Sequence, residues 1–271
     1  MTVKSEWVRH GAEPHVGYLC YPARAKTPLP SVIVLQEAWG VSAHIEDVTR
    51  RFALAGYAAF APDVFAKGGE RPAPLARDRL DELVTFINDM PASGWRDAAE
   101  RESAIAKRPA AEATRIRESF AAIMGGLSSL APFMPAVAAG AKWLREECAI
   151  TRGEKVFSVG FCMGGGLSAL LACEDPELAG SVIFYGSSPP LDRVPSIRCK
   201  VLAFWGVLDT RIQAQLTAFE QAMRDAGKHV ESTAYNGVGH AFFNDDRPSY
   251  DAEASRDAFV RTLAFLRAEL N

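Results

Sequence analysis

The sequence predicts an α/β fold in which a mostly parallel β-sheet is flanked on both faces by helices. Three observations lead there. Short runs of β-branched and aromatic residues alternate with longer amphipathic segments. Some of the short runs are apolar at every position, as strands covered on both faces must be. The chain has 271 residues, 48% of them hydrophobic, which is enough to bury a large core, and α/β folds of this size commonly remain one domain.

The elements follow in chain order. The patterns around Trp7-Val8 and Val16-Gly17-Tyr18-Leu19 suggest an edge hairpin. Ser31-Val32-Ile33-Val34-Leu35, behind Pro28-Leu29-Pro30, and Tyr57-Ala58-Ala59-Phe60-Ala61, between Gly56 and Pro62, read as buried strands. Between them Ile45, Val48, Phe52 and Ala55 recur at helical spacing, so strand, helix and strand form one crossover unit. Residues 68–140 break this rhythm, being rich in Ala, Arg and Glu and interrupted by Pro72, Pro74, Pro91, Pro109, Pro132 and Pro135. They predict several helices and no strand, an insertion that reads either as packing helices or as a cap over the ligand-binding ends of the strands. Further strands are expected over residues 155–159, 181–185, 201–205 and 230–235. Helices are expected over 212–226, stopped by Gly227, and over 252–270, where Phe259, Leu263, Leu266 and Leu270 share a face. Residues 1–271 thus read as a single domain with a helical insertion.

Composition narrows the function. Lys and Arg total 30 against 33 Asp and Glu, a net charge of -3, and no basic cluster has aromatic residues interleaved, so nucleic acid is not an expected partner. The start lacks an apolar signal core and no run of about 18 apolar residues follows, so no membrane association is expected and the location reads as cytoplasmic. Cys20, Cys148, Cys162, Cys173 and Cys199 are scattered, with neither disulfide-framework nor metal-ligand spacing. No metal or other cofactor is expected, and four of these cysteines default to small buried hydrophobes.

Cys162 is the exception. Gly160-Phe161-Cys162-Met163-Gly164 follows an expected strand and opens an expected helix, the setting of a G-x-S-x-G nucleophile elbow with Cys in the Ser position. Such a strained turn tolerates only small flanking residues and aims a helix N-terminus, which favours thiolate, at the side chain. Downstream, Phe204-Trp205-Gly206-Val207-Leu208-Asp209 puts an acid past a strand end, and Gly237-Val238-Gly239-His240 puts a histidine in a Gly-rich loop after the next strand. The order Cys, Asp, His is that of the α/β-hydrolase fold. An unperturbed thiol, with a pKa of about 8.5, is only a few per cent ionised at neutral pH and needs a base, which His240 would supply with Asp209 steadying it. The backbone N–H groups of Met163 and of Ala38, in the loop after residues 31–35, are the expected oxyanion donors.

That loop, Gln36-Glu37-Ala38-Trp39-Gly40, resembles the dienelactone hydrolase family. So do Gly56-Tyr57-Ala58 with Ala61-Pro62-Asp63, Gly160-Phe161-Cys162-Met163-Gly164-Gly165, Gly206 with Asp209, and Gly239-His240-Ala241-Phe242, which together cover most of the chain outside the insertion. The resemblance implies a cofactor-free, carboxymethylenebutenolidase-like hydrolase of carboxylic esters or lactones, acting on a small-molecule substrate as a monomer or homodimer. It implies Cys162 as nucleophile, Asp209 and His240 as its partners, and Glu37 as a glutamate that exchanges contacts with the thiol when substrate arrives, unless Glu37 is a salt-bridge partner. Members of the family that take carboxylated dienelactones grip the carboxylate with two arginines, near whose positions this sequence has Lys67 and Asn244. Lysine lacks the bidentate fork and asparagine lacks charge, so uncharged, fairly hydrophobic substrates are expected. Arg247 either replaces the clamp or is a solvated surface charge. Trp39, Trp205 and Phe242 are expected near the substrate pocket, although core packing would also explain either tryptophan, and His44 is expected to cap a helix or face solvent. A thiol redox sensor or an acyl-binding protein without turnover is the alternative, and an oriented base argues against it.

Overall fold

The apolar runs become the middle of a single sheet. In the computed structural model, which describes residues 2–11, 13–95 and 97–271, the strands are β1 (Val3–His10), β2 (His15–Pro22), β3 (Ser31–Leu35), β4 (Ala58–Pro62), β5 (Val156–Phe161), β6 (Gly180–Phe184), β7 (Lys200–Gly206) and β8 (Val230–Tyr235). They form an eight-stranded sheet in the order β1-β2-β4-β3-β5-β6-β7-β8. The expected hairpin forms one edge, with β1 antiparallel to β2 and β2 antiparallel to β4, and every pairing from β4 to β8 is parallel. Strands β3, β4, β5 and β6 are buried at every position, which is why they read as continuous rather than alternating apolar runs.

Within each strand the side chains divide by period two between two cores. Val32, Val34, Phe157, Val182 and Phe204 face α1 (Ala43–Leu54) and α8 (Ala252–Leu270), whose Phe52 and Leu266 join that core. Ile33, Leu35, Val156, Ile183 and Ala203 face the opposite core. That side is built by α2 (Arg77–Asp89), α3 (Ala98–Ile105), α4 (Ala110–Ser128), α5 (Met134–Glu146), α6 (Met163–Glu174) and α7 (Thr210–Asp225).

The insertion contains helices and no strand among its described residues, apart from an isolated bridge between Lys67 and Glu70. Its far boundary differs from the sequence expectation. Helix α5 starts at Met134, with Pro135 tolerated in its first turn, and lies directly on the sheet. A Cβ at Gly140 would fall 3.1 Å from Phe60 and 3.3 Å from Ile33. Residues 134–140 therefore belong to a sheet-covering helix, and the breaker Pro135 marks a helix start.

Candidate active site

The elbow is built from glycines because three strand ends converge on it. Cys162 stands between β5 and α6 with φ 53° and ψ -112°, a strained conformation for a residue with a Cβ. A Cβ at Gly160 would fall 1.9 Å from the Gly164 carbonyl oxygen, and one at Gly164 would fall 2.1 Å from that of Leu35. Gly165 in turn approaches Gly186, past the end of β6: a Cβ there would fall 2.8 Å from the Gly186 Cα. The Cys162 N–H donates to the Phe184 carbonyl at 3.0 Å, fixing the turn against β6. The side chain is left half-buried at the N-terminus of α6.

Asp209 and His240 meet because Gly206 lets two loops touch. A Cβ at Gly206 would fall 2.3 Å from the Val238 carbonyl oxygen, and the Leu208 N–H donates to that same oxygen at 2.9 Å. Asp209 occupies the N-cap of α7, yet its carboxylate makes no capping bond. It reaches His240 Nδ1 at 2.5 Å and is nearly buried. That bond leaves Nε2 free on the far edge of the ring. Burial alone would push the His240 imidazole down, but the charge of Cys162 and the hydrogen bond with Asp209 outweigh it and lift the pKa to about 10. Burial raises the Asp209 carboxyl, and the bond and charge of His240 overcome this to hold it below its usual value. Cys162, Asp209 and His240 thus come together.

Glu37 is buried beside them and does not form an ion pair of the usual surface kind. It accepts from the Tyr185 hydroxyl at 3.2 Å and from Asn244 Nδ2 at 2.5 Å. Tyr185 is fully buried at φ 40°, its ring edge-on to that of His240 with centroids 5.1 Å apart. Burial first, and then the charge of Glu37, push its hydroxyl well above the ordinary range, so it stays a donor. Sequence reasoning missed this residue. The available signal was Phe184-Tyr185-Gly186, a polar aromatic immediately past the strand that neighbours the elbow.

The backbone N–H groups of Ala38 and Met163 have no hydrogen-bond partner among the described residues, and both residues are buried. Trp39 is half-buried and gathers the loops around it. The insertion contributes Trp95, with ring centroids 5.8 Å apart, and the Arg247 guanidinium lies 5.1 Å from the Trp39 centroid. Arg247 Nη1 is buried without a partner, and desolvation lowers the arginine's pKa while the charges of Glu37 and Cys162 raise it. It is therefore not a solvated surface charge. At the other end of the insertion, a Cβ on Gly166 of α6 would fall 2.6 Å from Leu130 Cδ1, so residues 127–134 approach the helix that the elbow opens.

Other pocket candidates lie elsewhere. Lys67 is exposed, its backbone paired with Glu70. Asn244 is buried with both ends of its amide engaged, Nδ2 by Glu37 and Oδ1 by the Asp246 N–H at 3.0 Å, so it supports Glu37 and does not face a ligand. Phe242 is fully buried against Phe184, Tyr185 and Tyr235, because the turn at Ala241 (φ 60°) folds the chain after His240 back onto the sheet. Trp205 is core on the α7 side, its indole N–H unpaired among the described residues. His44, expected at a cap or in solvent, is buried, and Ser42 caps α1 in its place.

The dienelactone hydrolase family pattern matches residues 16–270. The chain belongs to that family. A provisionally named carboxymethylenebutenolidase of Saccharolobus solfataricus is 30% identical over 259 residues, covering 90% of this chain and 91% of its own. One of Synechocystis is 31% identical over 265 residues, covering 94% and 92%. A crystal structure of a provisionally named dienelactone hydrolase from Klebsiella pneumoniae superposes with a TM-score of 0.65 at 25% identity, covering 97% of this chain and 98% of that one. The fold is the α/β-hydrolase fold with a helical insertion, and the protein is a dienelactone hydrolase-like enzyme acting on esters or lactones. Among the described residues no cluster of three His, Cys, Asp or Glu side chains could hold a metal ion, and no single helix is long and apolar enough to cross a membrane.

Proposed function

We propose that this enzyme cleaves carboxylic esters or lactones through an acyl-thioester on Cys162. The observation that carries the reading is the bond between His240 Nδ1 and Asp209, which orients a base whose affinity for a proton is raised by Cys162 itself. In this reading His240 Nε2 takes the thiol proton as Sγ attacks the carbonyl carbon, and the displaced electron pair forms an oxyanion received by the N–H groups of Met163 and Ala38. Collapse breaks the carbon–oxygen bond, and His240 returns the proton to the leaving alkoxide. Water, deprotonated by His240, then attacks the thioester, releasing the acid and restoring the thiolate. A thiol redox sensor has no use for an imidazole held in one tautomer by a buried acid.

An activated p-nitrophenyl ester should give a burst of p-nitrophenol, with an acyl mass on Cys162. Cys162→Ala should abolish turnover, while Ala at Cys20, Cys148, Cys173 or Cys199 should leave it largely intact. Wild-type turnover by Cys162→Ala overturns the reading.

With Lys67 exposed and Asn244 occupied, the family's two-arginine clamp has no counterpart at its own positions, and Trp39, Trp95 and Leu130 favour uncharged, hydrophobic acyl or aryl groups. A buried methylene gains about 0.8 kcal/mol. A second reading, favoured by the unpaired Arg247 Nη1, is a substrate that carries one carboxylate for that guanidinium. Comparing kcat/KM for a carboxylated lactone and its methyl ester decides between them: preference for the ester supports the uncharged class, and preference for the acid assigns the role of anchor to Arg247.

A further inference from the structure

The segment after the catalytic histidine is fastened to α1 by an interaction that the chemistry above does not use. His44 Nδ1 meets Asp245 Oδ1 at 2.9 Å, and Arg51 Nη2 donates to Asp245 Oδ2 at 2.6 Å while its Nε donates to Asp47 at 2.7 Å. His44 is the buried member. Its ring stands edge-on to Phe161, the residue before Cys162, and to Phe243, with centroids 6.4 and 6.3 Å apart. Arg51 covers the same Phe243 ring at 6.0 Å. Asp245 is thereby fixed between two residues that reach into the site: Asn244, which donates to Glu37, and Arg247, which lies on Trp39.

We propose that His44 and Asp245 are positioning residues, which pin residues 241–247 to α1 and so hold Asn244 on Glu37 and Arg247 over Trp39, setting the charges around Cys162. The geometry explains why a histidine is buried beneath the elbow. A ring N–H directed at a carboxylate fixes both distance and direction across 201 residues of sequence, and the rigid aromatic floor under it keeps the ring from turning. Without Asn244, Glu37 would be held by the Tyr185 hydroxyl alone, at 3.2 Å. The titratable groups that face Cys162 and Glu37 are His240, Tyr185 and Arg247, and those that face Asp245 are His44 and Arg51, with Asp47 on the far side of Arg51.

The inference rests on Cys162 as the reactive thiol, and its test reads that thiol separately from turnover. The rate of iodoacetamide alkylation, located on Cys162 by mass, is followed against pH for wild type, Asn244→Ala, Asp245→Ala, His44→Ala and His44→Asn, together with kcat, KM and Tm. Asp245→Ala and His44→Ala should lower kcat by up to about tenfold with KM changed about twofold or less. They should displace the alkylation profile in the same direction as Asn244→Ala. Asp245→Ala added to Asn244→Ala should do no further damage to the profile, because both act through one contact. His44→Asn, whose amide N–H can occupy the place of Nδ1–H, should restore most of it. A merely structural clamp would lower Tm and leave the profile in place. Wild-type alkylation in Asp245→Ala, or additive displacement in the double variant, overturns the proposal. If Asp245→Ala does not fold, Asp245→Asn loses the ion pair with Arg51 but keeps an acceptor for His44, and it must show the same displacement in smaller degree. Absence of an acyl mass on wild-type Cys162 would instead strike the hydrolytic reading, and the alkylation comparison would still stand.

Discussion

Two histidines in this molecule, His10 buried in the core and His240 half-buried at the site, are shifted in opposite directions. His10, at the end of β1, is enclosed by Phe60, Trp143 and His15, and neither ring nitrogen has a hydrogen-bond partner among the described residues. Desolvation, helped by the charge of His15, lowers its pKa to about 4. His240 is also desolvated, yet it rises to about 10 because Cys162 and Asp209 are its neighbours. Desolvation lowers both rings, and at His240 the charge of Cys162 and the hydrogen bond with Asp209 reverse it. A histidine in a core is therefore a packing element until its partner is identified, and in this chain the partner is supplied by the close approach of two loops at Gly206.

Removing that partner should have the largest effect. Asp209→Asn preserves shape but ends the charge that steadies the imidazolium, and it permits the wrong tautomer. In serine triads the corresponding change costs on the order of ten-thousandfold in kcat, and a loss of similar direction is expected here. The pH dependence of kcat/KM should move with it, as His240 titrates lower without the carboxylate. If kcat for Asp209→Asn stays within about tenfold of wild type, the two histidines do not differ for the reason given.

The second test acts on stability. The pKa of His10 is depressed in the folded chain from 6.5 to about 4, so on acidification the unfolded chain takes up this proton first. Stability is lost as pH falls from about 6.5 towards about 4, and the full loss below that amounts to about 3 kcal/mol. His240 has the opposite sign: its contribution is present below about 6.5 and is lost as pH rises through about 10. Replacing His10 by Phe removes two unpaired ring nitrogens from an aromatic cage. The difference in unfolding free energy between His10→Phe and wild type should widen as pH falls from about 6.5 to about 4 and stay flat above about 7. A difference that is constant across that range would mean that His10 is not held neutral by its surroundings.

The same contrast explains what could be read from the sequence. Cys162 and Asp209 were legible because they follow β5 and β7, whose apolar runs are unmistakable, His240 because it lies in a Gly-rich loop past the more polar strand β8, and all three because the glycines at 160, 164 and 206 report backbone approaches that no other residue tolerates. Glu37 was legible as a member of the loop after β3. What Asn244, Arg247 and Phe242 face is decided by the turn at Ala241, a non-glycine residue at φ 60° that leaves no mark on hydrophobic periodicity. Tyr185 and His44 were missed because their partners, Glu37 and Asp245, are 148 and 201 residues away. The boundary between insertion and α5 was misjudged because Pro135 at the start of a helix looks the same in sequence as a breaker.

The smallest effect is expected at Glu37, and it sharpens the comparison because Glu37 is a buried acid of the candidate site that makes no bond to His240. Asp209 acts on His240 directly, at 2.5 Å, whereas the oxygens of Glu37 are taken by Tyr185 and Asn244 and its charge, like that of Cys162, acts on Tyr185 and Arg247. Glu37→Gln keeps the side-chain volume and an acceptor for Tyr185, but it sets an amide NH2 against that of Asn244. Relief comes either from the new amide turning over, so that its NH2 donates to the Tyr185 hydroxyl, or from Asn244 turning over, which withdraws its Oδ1 from the Asp246 N–H. The loss of the negative charge should lower the Tyr185 hydroxyl, which Glu37 now pushes up, and should leave Arg247 facing Cys162 with no second anion. An unopposed cation favours thiolate, so the alkylation profile of Cys162 should move towards lower pH while kcat falls by no more than about tenfold. The measurement is the iodoacetamide rate from about pH 5 to about pH 9 in Glu37→Gln and wild type. Overlay of the two curves would make Glu37 a structural acid whose work ends at Tyr185 and Asn244. A shift towards higher pH would show that its charge assists removal of the thiol proton more than Arg247 assists the thiolate, and the ranking of the two acids around Cys162 would have to be redrawn.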